Sequence, residues 1–194
     1  MSLLYEDNFD GKIEFSENSS AQFIALFINS KITDASNLIL PVITLTNNCY
    51  LNMFNSCTNL IAAPELPAST LAIGCYASMF SNCTSLTTAP ELPATTLAAN
   101  CYNGMFGSCT SLVNAPELPA ITLANGCYSG MFGACRSLNY VKAMFTTTPS
   151  SSYTGSWLTG VSSTGTFVKN SAATWNVTGN NGIPTGWTVE TADQ

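Results

Sequence analysis

The chain has 194 residues, of which 46% are hydrophobic and only 8% charged, with a formal net charge of -6 and no histidine. Its basic residues are Lys12, Lys31, Arg136, Lys142 and Lys169, and they form no cluster. Nucleic acid is therefore not an expected partner, because phosphate binding needs grouped Lys and Arg. The lack of histidine removes Ser-His-Asp triads, Cys-His dyads, Cys/His zinc sites and haem held by imidazole.

The length suits one domain that can bury a sizeable core. No run of eighteen apolar residues occurs, so no membrane-spanning helix is expected. The opening MSLLYEDNFDGK lacks the basic and apolar regions of a secretory signal. The chain reads either as cytosolic or as a piece of a longer protein. Residues 1–22 carry five acidic side chains and Lys12, which suggests a polar lead-in. Phe23 to Pro41 reads as a degenerate repeat, with Phe27 and Ser30 where later units have Phe and Cys. Residues 1–39 are thus expected to form an N-terminal cap.

Four consecutive 26-residue units then occupy 40–65, 66–91, 92–117 and 118–143. The second and third agree at 17 of 26 positions, and the shared pattern is LPAxTLAxxCYxxMFxxCTSLxxAPE. Repetition at this period means a solenoid, in which each unit covers the open apolar face of its neighbour. Within one unit Cys101, Met105 and Cys109 are spaced by four, as are Tyr102 and Phe106. That spacing predicts a short helix or helical turn from about Leu97 to Gly107. Ser111 to Ala115 reads as a short strand, closed by Pro116 and Pro119. One coil is thus a strand, a Pro-Glu-Leu-Pro corner and a helical return.

After Met144 the composition shifts to Ser, Thr, Gly and Trp. Thr166–Val168 and Gly186–Val189 read as strands, separated by turn-forming Gly179–Pro184. Residues 144–194 are expected to form a small β cap. Trp157, Trp175 and Trp187 are read as its core, with sugar stacking as the alternative.

The Cys-x-Ser-Leu strand, the Leu-Pro corner and the aromatic-rich return resemble leucine-rich repeats of the BspA-like, Treponema pallidum-type class. CYxxMFxxCTSL and APELPATTLA are similar to repeats of uncharacterised surface proteins from gut Bacteroidetes and their phages. The resemblance covers about residues 23–143 and extends to the tail TGSWLTGVSS…GWTVE and the opening SLLYEDNFDGK. It implies an α/β solenoid: a right-handed stack of about five coils, parallel strands on one side, short helices on the other, and a C-terminal β cap. It also implies a place outside the cell or on a virion.

The cysteines follow the repeat as two ladders. Cys49, Cys75, Cys101 and Cys127 form one, and Cys57, Cys83, Cys109 and Cys135 the other. Buried free thiols are the favoured reading. Cross-coil disulfides and a metal ladder are the alternatives, the latter weakened by the lack of CxxC spacing. Tyr50, Tyr76, Tyr102 and Tyr128 form a further ladder, read as packing rather than ligand contact.

Glu65, Glu91 and Glu117 recur at the corners, and Lys142 and Ala143 end the row. Solvated edge charges are the favoured reading. A weak cation row is the second, and a carboxylate pair for carbohydrate hydrolysis the third. The units differ most at Ile61-Ala62, Thr87-Thr88, Val113-Asn114 and Asn139-Tyr140. Unconstrained surface is the favoured reading of these pairs; the other makes them the candidate ligand-binding row, since such positions build the binding faces of repeat proteins. The row is small and neutral, which suits a protein or glycan ligand. The expectation is a non-enzymatic binding or adhesion module needing no cofactor or metal. The alternatives are a structural spacer and a carbohydrate-active enzyme; the oligomeric state stays open.

Overall fold

The computed structural model describes residues 23–40 and 45–193, and the backbone alone of 13–14. The remainder of the lead-in expected over 1–22 lies outside the described residues. In chain order the elements are β1 (Ile13–Glu14), β2 (Leu38–Ile39), β3 (Tyr140–Ala143), α1 (Ser151–Thr154), β4 (Thr166–Asn170) and β5 (Thr188–Ala192). β1 pairs with β2, and β3-β4-β5 form a second sheet; every pairing is parallel. Between these elements the chain runs as turns whose pattern repeats every 26 residues.

The segments expected as helices are instead runs of β-turns, and helices are nearly absent among the described residues. In the third unit the amides of Cys101, Asn103, Met105, Gly107 and Cys109 each donate to the carbonyl three residues earlier. The amides between them, at Asn100, Tyr102, Gly104, Phe106 and Ser108, donate instead to the next unit, at Asn125, Cys127, Ser129, Met131 and Gly133. Half of the donors therefore tie the unit to itself and half tie it to its neighbour. An α-helix would spend all of them internally.

Positive φ marks every fourth residue of this run, at Asn100 (55°), Gly104 (60°) and Ser108 (62°). Gly, and less often Asn, visits this region as a single residue and not as a helix. A run with a two-residue turn alternation also returns side chains to one side every fourth residue. The spacing read as helical therefore describes the burial correctly and the backbone wrongly.

The core lies inside these turns. Cys, Tyr, Met and Phe of each unit are buried, as are the Leu after Thr-Ser and the Leu of Pro-Glu-Leu-Pro. Aromatic rings stack from unit to unit. Phe27, Phe54, Phe80, Phe106 and Phe132 follow one another at centroid separations of 5.2–5.7 Å. Phe23, Tyr50, Tyr76, Tyr102 and Tyr128 do so at 5.6–6.1 Å. Each such contact adds about 0.5–1.5 kcal/mol beyond area burial.

The expected strand Ser111–Ala115 is reduced to one bridge, Asn114 to Tyr140. Prolines lie just beyond it and prevent its extension. Pro64, Pro90 and Pro116 fall at one register in successive units, as do Pro67, Pro93 and Pro119. Neighbouring coils thus lack ladder donors at the same places. Among the described residues, no backbone group of Thr87–Ala94 has a hydrogen-bond partner within the protein. The fourth unit has Lys142 and Phe145 at the two proline registers, and there β3 forms and pairs with β4.

The spacing runs on past Ala143. Tyr128, Gly130, Phe132 and Ala134 donate to Tyr153, Gly155, Trp157 and Thr159, so α1 and its sequel take the place of a further coil. Trp157, Trp175 and Trp187 are all buried, and each indole N–H donates to a carbonyl: Gly182, Phe145 and Ser162. These three bonds staple the last turns together. Buried in this way, the indoles offer no stacking platform for a sugar.

Candidate functional site

Two exposed features run along the stack on the side away from the turns. The first is the variable row. Thr87, Thr88, Val113, Asn114, Asn139 and Tyr140 are all exposed, and Ile61 is 55% exposed. Backbone contacts fix their order: Ile61 N donates to Thr33 O, Asn139 N donates to Val113 O, and Asn114 lies beside Tyr140. Tyr140 continues to Thr166 and Thr188 through the β3-β4-β5 register. The row therefore presents isoleucine, threonine, valine, asparagine and tyrosine in sequence, uncharged throughout. Burying exposed Ile61 and Val113 beneath a ligand would release apolar surface from water, at about 25 cal/mol per Å².

The second feature is a set of grooves where successive Pro-Glu-Leu-Pro corners meet. One of about 650 Å³ lies between residues 63–67 and residues 89–93. A groove of about 380 Å³ follows between the next two corners, and one of about 210 Å³ precedes it against Ser36–Leu40. Glu65 and Pro67 line the first two grooves in chain order, and Glu91 and Pro93 the last two, so the grooves adjoin. The leucine of each corner is buried beneath them while the glutamates are exposed. Taken one unit at a time, these prolines are only strand terminators. Their shared register at a spacing of 26 is the signal that they form a lining.

Glu65, Glu91 and Glu117 stay one to a corner. Among the described residues no group of three or more Cys, Asp or Glu side chains is arranged to hold a metal ion. Glu117 Oε1 instead pairs with Lys142 Nζ at 3.0 Å, across one coil boundary.

The cysteine ladders are buried and all eight thiols are free. Cys57, Cys83, Cys109 and Cys135 donate through Sγ to the carbonyls of Phe27, Phe54, Phe80 and Phe106 at 2.9–3.1 Å. Each thiol thus joins its coil to the one before it. Burial pushes Cys75 and Cys135 up to about 12 and Cys127 up to about 11. A thiol held in its neutral form is a poor nucleophile and a poor metal ligand. Burial also raises the phenols of the tyrosine ladder, with the neighbouring thiolates adding to the effect.

Lys169 is buried beside the C-terminal aromatics. Its Nζ donates to Trp175 O at 2.8 Å and to Asn176 Oδ1 at 3.0 Å, and sits 5.2 Å from the Trp175 ring. These contacts make it a pin for the 170–176 turn. No described helix is long and apolar enough to cross a membrane. Compared with protein families, curated proteins and solved structures, the chain finds no match.

Proposed function

We propose that the chain is a non-enzymatic binding module, built as a leucine-rich-repeat-like solenoid, that recognises protein or glycan through its variable row. The observation that carries this reading is the contrast within each unit. Core positions repeat almost unchanged, while the exposed pairs Thr87-Thr88, Val113-Asn114 and Asn139-Tyr140 differ from coil to coil. A scaffold with a constant interior and varied exterior is the usual way a repeat protein builds a recognition surface. The resemblance to BspA-like repeats supports a surface or virion setting.

The test is a glycan and extracellular-protein array, probed with the chain and with a Thr88→Arg/Asn114→Arg variant. A signal present in the parent and lost in the variant is the expected outcome. A signal kept in both would move recognition off this row. The second reading is a spacer within a longer surface or tail protein, favoured by the near-identity of the second and third coils. An array without any signal would put that reading first.

A further inference from the structure

We infer that the corner grooves form a second docking surface, which takes an extended protein segment carrying lysine or arginine at every second residue. This surface is separate from the variable row and stands whether or not the row binds anything.

The lining selects the occupant. Ala63, Pro67, Ala89 and Pro93 make the walls apolar, and Glu65 and Glu91 supply the charge. An aliphatic stem ending in a cation matches such a lining, since it buries methylenes against apolar walls and leaves its head beside a carboxylate. The chain already contains one such pairing of ammonium and corner carboxylate. Lys142 occupies the register of Pro116 one coil further on, and its ammonium reaches Glu117. Glu65 and Glu91 have no such partner among the described residues. The row therefore satisfies its last carboxylate internally and leaves the first two for a cation from outside.

Spacing selects an extended backbone. Ring stacking puts the step between these coils at about 5.5–6.0 Å. Alternate side chains of a strand lie about 6.7 Å apart on one face. A strand laid along the stack with a modest tilt delivers one cation to each corner.

The test is fluorescence anisotropy with the full chain and a labelled, blocked (Lys-Ala)4 peptide at low salt. The expected result is saturable binding that weakens as salt rises. Glu65→Gln/Glu91→Gln should weaken it by about tenfold. Lys142→Ala frees Glu117 and should tighten binding by about threefold. Glu190→Gln removes an exposed carboxylate on β5 and should change nothing. Thermal melts of the variants check that the fold is retained. Equal weakening by Glu190→Gln would show mere attraction to an acidic protein and overturn the proposal. So would no gain from Lys142→Ala, or equal competition by spermidine and by a peptide with lysine at every fourth residue.

Discussion

The turn side and the corner side of the same coils are held by different means. On the turn side alternate amides cross to the next coil, thiols reach back to the previous one, and aromatic rings stack throughout. On the corner side the middle coils share little backbone bonding, because prolines remove donors at matching registers. The difference separates duties. One side holds the stack together, and the other carries the exposed pairs that differ from coil to coil.

The largest expected effect comes from breaking the turn side at its centre. Phe106 stacks between Phe80 and Phe132. Phe106→Ala should cost about 3–5 kcal/mol, read by urea denaturation. A loss below about 1 kcal/mol would mean that the ring ladder is not what binds coil to coil.

Gly126 tests the backbone of the same side. It has φ of +64°, and a Cβ there would overlap Asn100 Oδ1. Gly126→Ala should cost about 2 kcal/mol, the sum of left-handed strain and displacement of that amide. Adding Asn100→Ser should restore part of the loss, which separates the contact from the strain.

Alkali sharpens the comparison without mutation. The folded thiols and phenols are raised, so the unfolded chain ionises first as pH climbs. Their contribution is intact below about 8.5, the ordinary thiol value. It is lost progressively as pH approaches the folded values of about 11–12. Urea midpoints should hold between about pH 7 and 8.5 as far as these groups are concerned, then fall steeply above about 9. A midpoint that stays flat up to about pH 11 would contradict the burial of the ladders. In denaturant without reductant all eight cysteines should titrate as free thiols, and in the native chain almost none.

The smallest effect belongs to the corner side. Thr88→Arg and Asn114→Arg should each shift stability by no more than about 0.5 kcal/mol. A larger loss by thermal melt would mean that the exposed row also supports the fold.

Much of this division is legible in the residues alone. The period, the burial of Cys, Met, Tyr and Phe, and the positions of β4 and β5 follow from spacing and composition. The backbone of the return is not legible in that way, because a spacing of four serves a helix and an alternating run of turns equally well. What distinguishes them is the recurrence of Asn, Gly and Ser at Asn100, Gly104 and Ser108, where φ is positive. The grooves are hidden for a related reason. A proline in one strand reads as a terminator, and only the alignment of Pro67 with Pro93 in the neighbouring coil turns it into a wall. The variable row can be read directly, because residues with no role inside are the ones free to differ.

The asparagine beside Gly126 belongs to a longer alternation. Positive φ falls on Asn48, Gly74, Asn100 and Gly126 in successive coils. The Asn48 and Asn100 amides occupy the space that a side chain on Gly74 and Gly126, respectively, would need. The physical period at this position is therefore two coils, although the sequence period is one. Gene segments encoding coil pairs can be gained or lost with the fit intact. Removing the coil of Gly74 alone would set the Asn48 amide against the Asn100 side chain. The constraint is one of order: a coil with asparagine at this position needs glycine in the coil that follows it.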